Sequence, residues 1–98
     1  MNLKSLLEVV KQKDLTLEQL EDYRDEMVHL HTLMQLELAD IEREGALFLV
    51  DSKEESHAAK KRVWKATDKG LREITLNRYL KAVVKELDSL KSRVYSLL

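Results

Sequence analysis

The 98-residue chain contains no cysteine, no proline and only two glycines, and 36% of its residues are charged. The lack of cysteine excludes disulfides and thiolate metal sites, and the scarcity of helix-breaking residues favours long helices of the coiled-coil type. No apolar run reaches the roughly 18 residues that a membrane span needs, and the first residues do not resemble a signal peptide. We therefore expect a cytoplasmic protein.

The net charge of −1 conceals opposite charges in the two halves of the chain. Residues 1–55 contain fourteen Asp and Glu and six Lys and Arg, giving −8. Residues 56–98 contain four acidic and eleven basic residues, giving +7. An acidic helix beside a basic one replaces repulsion within each half by attraction between them. We therefore expect the halves to pack together, either within one chain or between chains.

The first predicted element is a short helix over about residues 2–12. Its apolar residues recur at helical spacing and are Leu3, Leu6, Leu7 and Val10. A helix of about three turns is too short to be stable alone, so it must pack on another element. Thr16 and Gln19 have the spacing of a capping box, which predicts that the next helix begins at Leu17.

A long acidic helix is predicted over about residues 17–50. Its apolar residues follow one another at gaps of mostly three and four, which favours coiled-coil packing. They are Leu20, Tyr23, Met27, Leu30, Met34, Leu38, Ile41, Gly45, Ala46 and Phe48. Leu33, Leu36 and Leu47 widen this stripe, so we expect the helix to contact more than one neighbour.

A basic helix is predicted over about residues 53–96. Two candidate capping boxes, Asp51 with Glu54 and Ser52 with Glu55, place its start. The absence of Gly and Pro between residues 47 and 69 would also allow the acidic helix to run on.

The apolar pattern of the basic helix slips near residues 68–75. We expect a kink there, with Asp68 or Thr75 capping the restarted helix. Beyond this point the heptad is regular, and we expect it to form the seam of an oligomer. The seam residues are Leu80, Val83, Leu87, Leu90, Val94 and Leu97.

No pattern of a catalytic site is found, so we expect a protein that is not an enzyme and needs no cofactor. The serines lie in no nucleophile-elbow context, and the two glycines form no phosphate loop. Glu26 and His29 match the Glu-x-x-His spacing of dinuclear iron sites, but such a site needs a second motif and two further glutamates. His29 and His31 face different sides of a helix and cannot chelate together. We expect no metal site.

A cluster of basic residues within thirteen positions is the strongest candidate for a binding surface. With the tryptophan inside it, the cluster consists of Lys60, Lys61, Arg62, Trp64, Lys65, Lys69 and Arg72. On one continuous helix Lys61, Lys65, Lys69 and Arg72 would share a face that could follow a phosphate backbone. Trp64 either stacks on a base or anchors the core, and the cations either bind a partner or neutralise the acidic helix.

Three segments are similar in order and character to the UvsY-type phage recombination mediators. They are Met34–Glu42, Lys60–Arg62 and Leu87–Arg93. The resemblance covers about residues 30–95 and rests on helical patterning, and the chain is shorter than that family usually is. It implies a small, helical, oligomeric protein that binds single-stranded DNA and helps to load a recombinase. It also implies that Lys60, Lys61, Arg62 and Lys65 would contact the DNA.

We thus predict an all-α protein, a helical hairpin with a short N-terminal helix in one domain over residues 1–98. The first functional hypothesis is an interaction or regulatory protein that oligomerises through its Leu/Val seam and presents a charged face to a protein partner. The alternative is a recombination accessory protein that binds single-stranded nucleic acid through residues 60–72.

Overall fold

The computed structural model describes residues 2–53 and 56–98, and every regular element in them is an α-helix. The helices are α1 (Leu3–Val9), α2 (Leu17–Asp51), α3 (His57–Ala66) and α4 (Asp68–Leu97). The chain divides into two compact units. The first combines the residues up to Leu33 with Leu80–Leu98, and the second is Met34–Tyr79. Segments of α2 and α4 pair within each unit, which confirms the predicted all-helical hairpin.

The capping box at the start of α2 forms as predicted. The backbone N–H of Gln19 donates to Thr16 Oγ1 at 3.1 Å, and the backbone N–H of Thr16 donates to Gln19 Oε1 at 2.9 Å. Each bond satisfies an amide that a helix terminus leaves without a partner, so the two together fix the start of α2 at Leu17. Its end at Asp51 lies one residue beyond the prediction.

The first unit consists of α1 and the paired segments of α2 and α4. Its core is aliphatic and contains the buried side chains of Leu6, Val10, Leu15, Leu20, Met27, Val83, Leu90 and Val94. Helix α1 ends at Val9, earlier than the predicted residue 12. The Arg93 guanidinium donates to the carbonyls of Val10 and Gln12, which lie just beyond this helix end. A cation at this end also suits the negative pole of the α1 dipole.

The second unit consists of the later part of α2, all of α3 and the first part of α4. Ile41, Trp64 and Leu76 are buried at its centre, one from each helix. Met34, Leu38 and Phe48 pack against them from α2. Met34, Leu38 and Phe48 belong to the apolar stripe predicted for the acidic helix. This stripe therefore packs the helices of one chain together.

The boundaries of the basic segment differ in detail from the approximate prediction. Helix α3 begins at His57, capped by the Ser56 side chain, which accepts a bond of 3.0 Å from the Ala59 N–H. Both predicted capping boxes involve residues 54 and 55, which lie outside the described residues. The break between α3 and α4 falls at Thr67, not at residues 68–75. Asp68 is the first residue of α4, and Thr75 lies inside it and donates to Leu71 O.

A candidate basic surface on the third helix

Trp64 attaches α3 to the second unit. Its side chain is only 9% exposed, and its ring centroid lies 5.5 Å from that of Phe48 on α2 with the rings tilted by 45°. The indole Nε1–H donates to Glu73 Oε2 on α4 at 3.1 Å, so the polar atom of the ring is satisfied as well. The packing-anchor interpretation of Trp64 is confirmed. The ring is too buried to stack on a nucleic-acid base.

Both glycines of the chain lie against Trp64. A Cβ atom on Gly45 would come within 2.9 Å of the indole Cε2, so only a residue without a side chain lets the ring pack on α2. A Cβ atom on Gly70 would come within 1.9 Å of the Trp64 carbonyl oxygen. Gly70 therefore allows α3 and α4 to meet closely at the break. Neither glycine has a positive φ, so close approach, not backbone conformation, explains them.

Thr67 is the residue that ends α3 and starts α4. Its hydroxyl donates to the Trp64 carbonyl at 2.6 Å and accepts from the Gly70 N–H at 3.0 Å. One side chain thus satisfies a carbonyl at the end of one helix and an amide at the start of the next. Because α3 and α4 are separate helices, residues 60–72 do not form the single continuous face that the sequence predicted.

The two cations beyond the break pair with acidic residues of α2. Arg72 Nε lies 2.9 Å from Glu37 Oε1 and Arg72 Nη2 lies 3.0 Å from Glu37 Oε2, a bidentate pair. Lys69 Nζ lies 2.6 Å from Glu44 Oε2. The hydrogen bonds from Arg72 lower the pKa of Glu37, and the bond to Glu37 raises the pKa of Arg72. In this unit α2 and α4 run antiparallel within one chain, and these two ion pairs balance acidic charge on α2 with basic charge on α4.

The cations before the break are differently placed. Lys61, Arg62 and Lys65 are exposed and Lys60 is half-buried, all four on α3. Within residues 2–53 and 56–98 no acidic side chain lies within ion-pair distance of any of them. We call these four residues the basic α3 surface. Within the predicted cluster, the cations of α3 and not those of α4 therefore have no ion pair among the described residues.

An apolar depression adjoins the basic α3 surface. It is shallow and open to solvent, and is lined by Ala59, Arg62, Val63 and Ala66. The three apolar residues recur at helical spacing and lie beside the cations on the same short helix. This part of α3 therefore combines positive charge with apolar surface.

The predicted oligomer seam lies largely inside the first unit. Val83, Leu90 and Val94 are buried, Leu80 and Leu87 are half-buried, and Leu97 is exposed. The three buried side chains are covered within one chain, whereas Leu97 and parts of Leu80 and Leu87 remain accessible.

The Glu26 and His29 side chains are both exposed on α2. Over the residues that the structure describes, no group of three or more potential metal ligands comes together. None of the described helices is both long enough and apolar enough to cross a membrane.

Comparison with known proteins gives no match to a family model, to a curated protein or to a solved structure. The sequence did not predict the roles of Thr67, which caps α4, or of Glu73, which accepts the Trp64 indole N–H. Thr67 lies one residue before the region that was expected to break. Its spacing of three residues from Gly70 is typical of a helix cap and could have identified it.

Proposed function

We propose that the protein is a non-enzymatic helical interaction protein that self-associates and presents the basic α3 surface to an acidic macromolecular partner. The observation that carries this proposal is the division of the cationic cluster at Thr67. Lys69 and Arg72 pair with Glu44 and Glu37, whereas the four cations of α3, three of them exposed, have no acidic partner among the described residues. Charge complementarity of this kind chiefly sets association rate and partner choice.

The apolar depression next to these cations supports a protein as the partner. Ala59, Val63 and Ala66 offer contact area that a phosphate backbone would not use. An amphipathic helix with an acidic flank fits both features, because its apolar side chains would pack on Ala59, Val63 and Ala66 and a carboxylate would meet Arg62, which lines the same depression.

A matched pair of charge reversals tests this proposal. Lys61→Glu with Lys65→Glu removes two cations of the basic α3 surface, and Lys81→Glu with Lys85→Glu makes the same change in net charge at exposed positions of α4 with the same spacing. The probe is a fluorescently labelled peptide with Glu and Leu at helical spacing. We expect the first pair to weaken binding by about tenfold or more and the second to change it little. Equal effects, or no binding by the wild-type chain, would contradict the proposal.

Single-stranded nucleic acid is a second candidate partner, supported by the clustering on one short helix of four cations that pair with no acidic side chain in residues 2–53 and 56–98. Because Trp64 is buried, contact would involve phosphates and not stacked bases. Four phosphate contacts on a single strand predict a log–log salt slope of about −3, at roughly 0.7 per contact. Fluorescence anisotropy with a labelled oligonucleotide at several salt concentrations measures this slope, and a slope near zero excludes the candidate.

The single tryptophan reports on the same question. Stacking on a base quenches indole emission, whereas phosphate contacts to Lys61 and Lys65 leave a buried indole unaffected. We expect Trp64 emission to stay constant while the oligonucleotide saturates the protein. Strong quenching would mean that the indole leaves the core on binding.

A further inference from the structure

The outer face of α2 in the second unit carries large apolar side chains that the core does not use. Leu36, Leu47 and Val50 are 61%, 59% and 78% exposed. The core of this unit is formed by a different face of the same helix, which contains Ile41 and Phe48. Scattered exposed leucines are normal on a protein surface, but these are arranged in a regular pattern.

The pattern is a second heptad. Leu36, Asp40, Arg43, Leu47 and Val50 follow one another at gaps of four, three, four and three residues. On an α-helix such residues share one narrow face, the geometry of a coiled-coil seam. We call these five residues the outer α2 face. Its only charged members are Asp40 and Arg43, both exposed, whose nearest atoms are 3.6 Å apart.

The outer α2 face is complementary to itself when reversed. Asp40 lies four residues after Leu36, and Arg43 lies four residues before Leu47. In an antiparallel copy, Leu36 would lie opposite Leu47 of the second copy, and Asp40 opposite Arg43 of the second copy. Each contact occurs twice about the two-fold axis, as an isologous interface requires.

We propose that the outer α2 face is the interface of a two-fold symmetric dimer in which the α2 helices of two copies pack antiparallel. This inference rests on the self-association in the proposed function and assigns it to a surface. Opposite charges meet at the centre of the interface, and apolar side chains flank them on both sides. Such an arrangement selects one register and one direction, because a parallel pair would bring Asp40 against Asp40 and Arg43 against Arg43.

The flanks of the face also suit a second copy. On one side lie Glu37 and Glu44, whose charges are already balanced by Arg72 and Lys69. On the other side lie Ala39 and Ala46, both exposed and small enough to let two helices approach closely. A membrane surface is a poorer partner, since interfacial helices carry cations beside the apolar face and this face is flanked by carboxylates.

Light scattering of the full chain tests the dimer directly. We expect twice the chain mass of 11.5 kDa for the wild type and the chain mass for Leu47→Glu, because the new carboxylate would be buried opposite Leu36. Leu47 is exposed in the single chain, so the helical circular dichroism should not change. Val84→Glu is the matched control, an exposed apolar residue on α4 that should leave the dimer mass intact.

The outcomes separate this inference from the proposed function. A wild-type chain that stays at 11.5 kDa over the whole concentration range would overturn both the interface and the self-association. An oligomer that persists in Leu47→Glu would overturn this interface and leave self-association through another surface.

A charge swap tests the pairing at the centre. Asp40→Arg places an arginine opposite Arg43 of the second copy, and the two-fold axis repeats this repulsion. We expect the dimer dissociation constant to rise by about tenfold or more. Adding Arg43→Asp restores opposite charges in the antiparallel register, so the double variant should dimerise as the wild type does. If the double variant dimerises no better than Asp40→Arg alone, the antiparallel pairing is wrong.

Cross-linking tests the direction of the helices, and the chain has no cysteine to interfere. In the proposed register, two copies of position 36 are offset by about 16.5 Å along the helix axis, because positions 36 and 47 are eleven steps of 1.5 Å apart. Leu36→Cys and Leu47→Cys chains should therefore cross-link when mixed and only weakly when oxidised alone. Efficient cross-linking of either variant alone, with none added by mixing, would overturn the antiparallel arrangement.

Discussion

Among the described residues, eight apolar side chains are buried in the first unit, whereas the second unit buries three: Ile41, Trp64 and Leu76. The first unit spreads its burial over many aliphatic residues at heptad spacing. The burial in the second unit centres on the Trp64 indole, which contacts both glycines, Phe48 and Glu73. A core with many equivalent members tolerates the loss of one better than a core built around a single large residue.

The two units also use charge differently. In the first, Arg93 donates to the backbone at the end of α1. In the second, Glu37 and Glu44 on α2 hold Arg72 and Lys69 on α4. The basic α3 surface and the outer α2 face both belong to the second unit. Both proposed binding surfaces thus lie in the unit with the smaller core.

The largest expected effect comes from Trp64→Ala. Removing the indole leaves a cavity beside Gly45 and leaves Glu73 without its hydrogen-bond donor, so we expect a loss of about 3–5 kcal/mol in the free energy of unfolding. Chemical denaturation followed by circular dichroism measures it. Tyr95→Ala, at an exposed aromatic residue, should change stability by less than about 0.5 kcal/mol. Similar losses for both variants would contradict the anchor role.

Leu90→Ala probes the aliphatic core of the first unit. The side chain is 1% exposed, and we expect a loss of about 2–4 kcal/mol, smaller than that of Trp64→Ala because the surrounding aliphatic residues can partly fill the cavity. Leu97→Ala is the matched control in the same seam, since Leu97 is exposed. If the two substitutions cost the same, the seam is not packed within one chain.

Gly45→Ala tests the close contact between α2 and the indole. Alanine favours a helix by about 1 kcal/mol over glycine, but the added Cβ would lie 2.9 Å from the indole, and overpacking costs about 1–3 kcal/mol. We therefore expect net destabilisation in the wild type. In the Trp64→Ala background the same change should become neutral or stabilising. An unchanged effect in that background would contradict the contact.

Thr67→Ala tests the junction of α3 and α4. The hydroxyl bonds to Trp64 O and the Gly70 N–H are both lost, so we expect a cost of about 1 kcal/mol. Thr32→Ala removes a hydroxyl that only donates to the Val28 carbonyl inside α2 and should be neutral or slightly stabilising. Comparison of urea midpoints distinguishes a cap from an ordinary helix-surface threonine.

The smallest expected effect concerns the pair of Glu37 and Arg72. The pKa of Glu37 is lowered in the folded chain, so its stabilising contribution is fully present above the ordinary value of 4.5 and is lost as pH falls through the lowered pKa. Both side chains are substantially exposed, so solvent screening limits the contribution to less than about 1 kcal/mol.

Glu37→Gln should therefore be less stable than the wild type at neutral pH, and the difference should vanish in acid. Glu42→Gln is the control, at an exposed glutamate without an ion pair to any described residue. Urea titrations at neutral and acid pH give both differences. A Glu37→Gln deficit that persists unchanged in acid would show that charge pairing is not its cause.

The heptad spacing in the sequence predicted the paired helices because burial repeats with the helical period, and the capping box at Thr16 predicted where α2 begins. The break at Thr67 could not be placed in this way. The spacing of Thr67 and Gly70 is a local signal, but the break also depends on contacts of Trp64 with Gly45 and Gly70, which heptad spacing does not reveal. The same break divides the basic cluster between two helices, because Lys69 and Arg72 lie on α4 and the other cations lie on α3.

Segment-resolved hydrogen exchange of the Trp64→Ala chain tests the central comparison most directly. The account predicts that amide protection falls chiefly within residues 34–79, while the paired segments of the first unit, around Met27 and Leu90, keep most of theirs. Protection lost equally from both units would contradict the view that the second unit depends on this one indole.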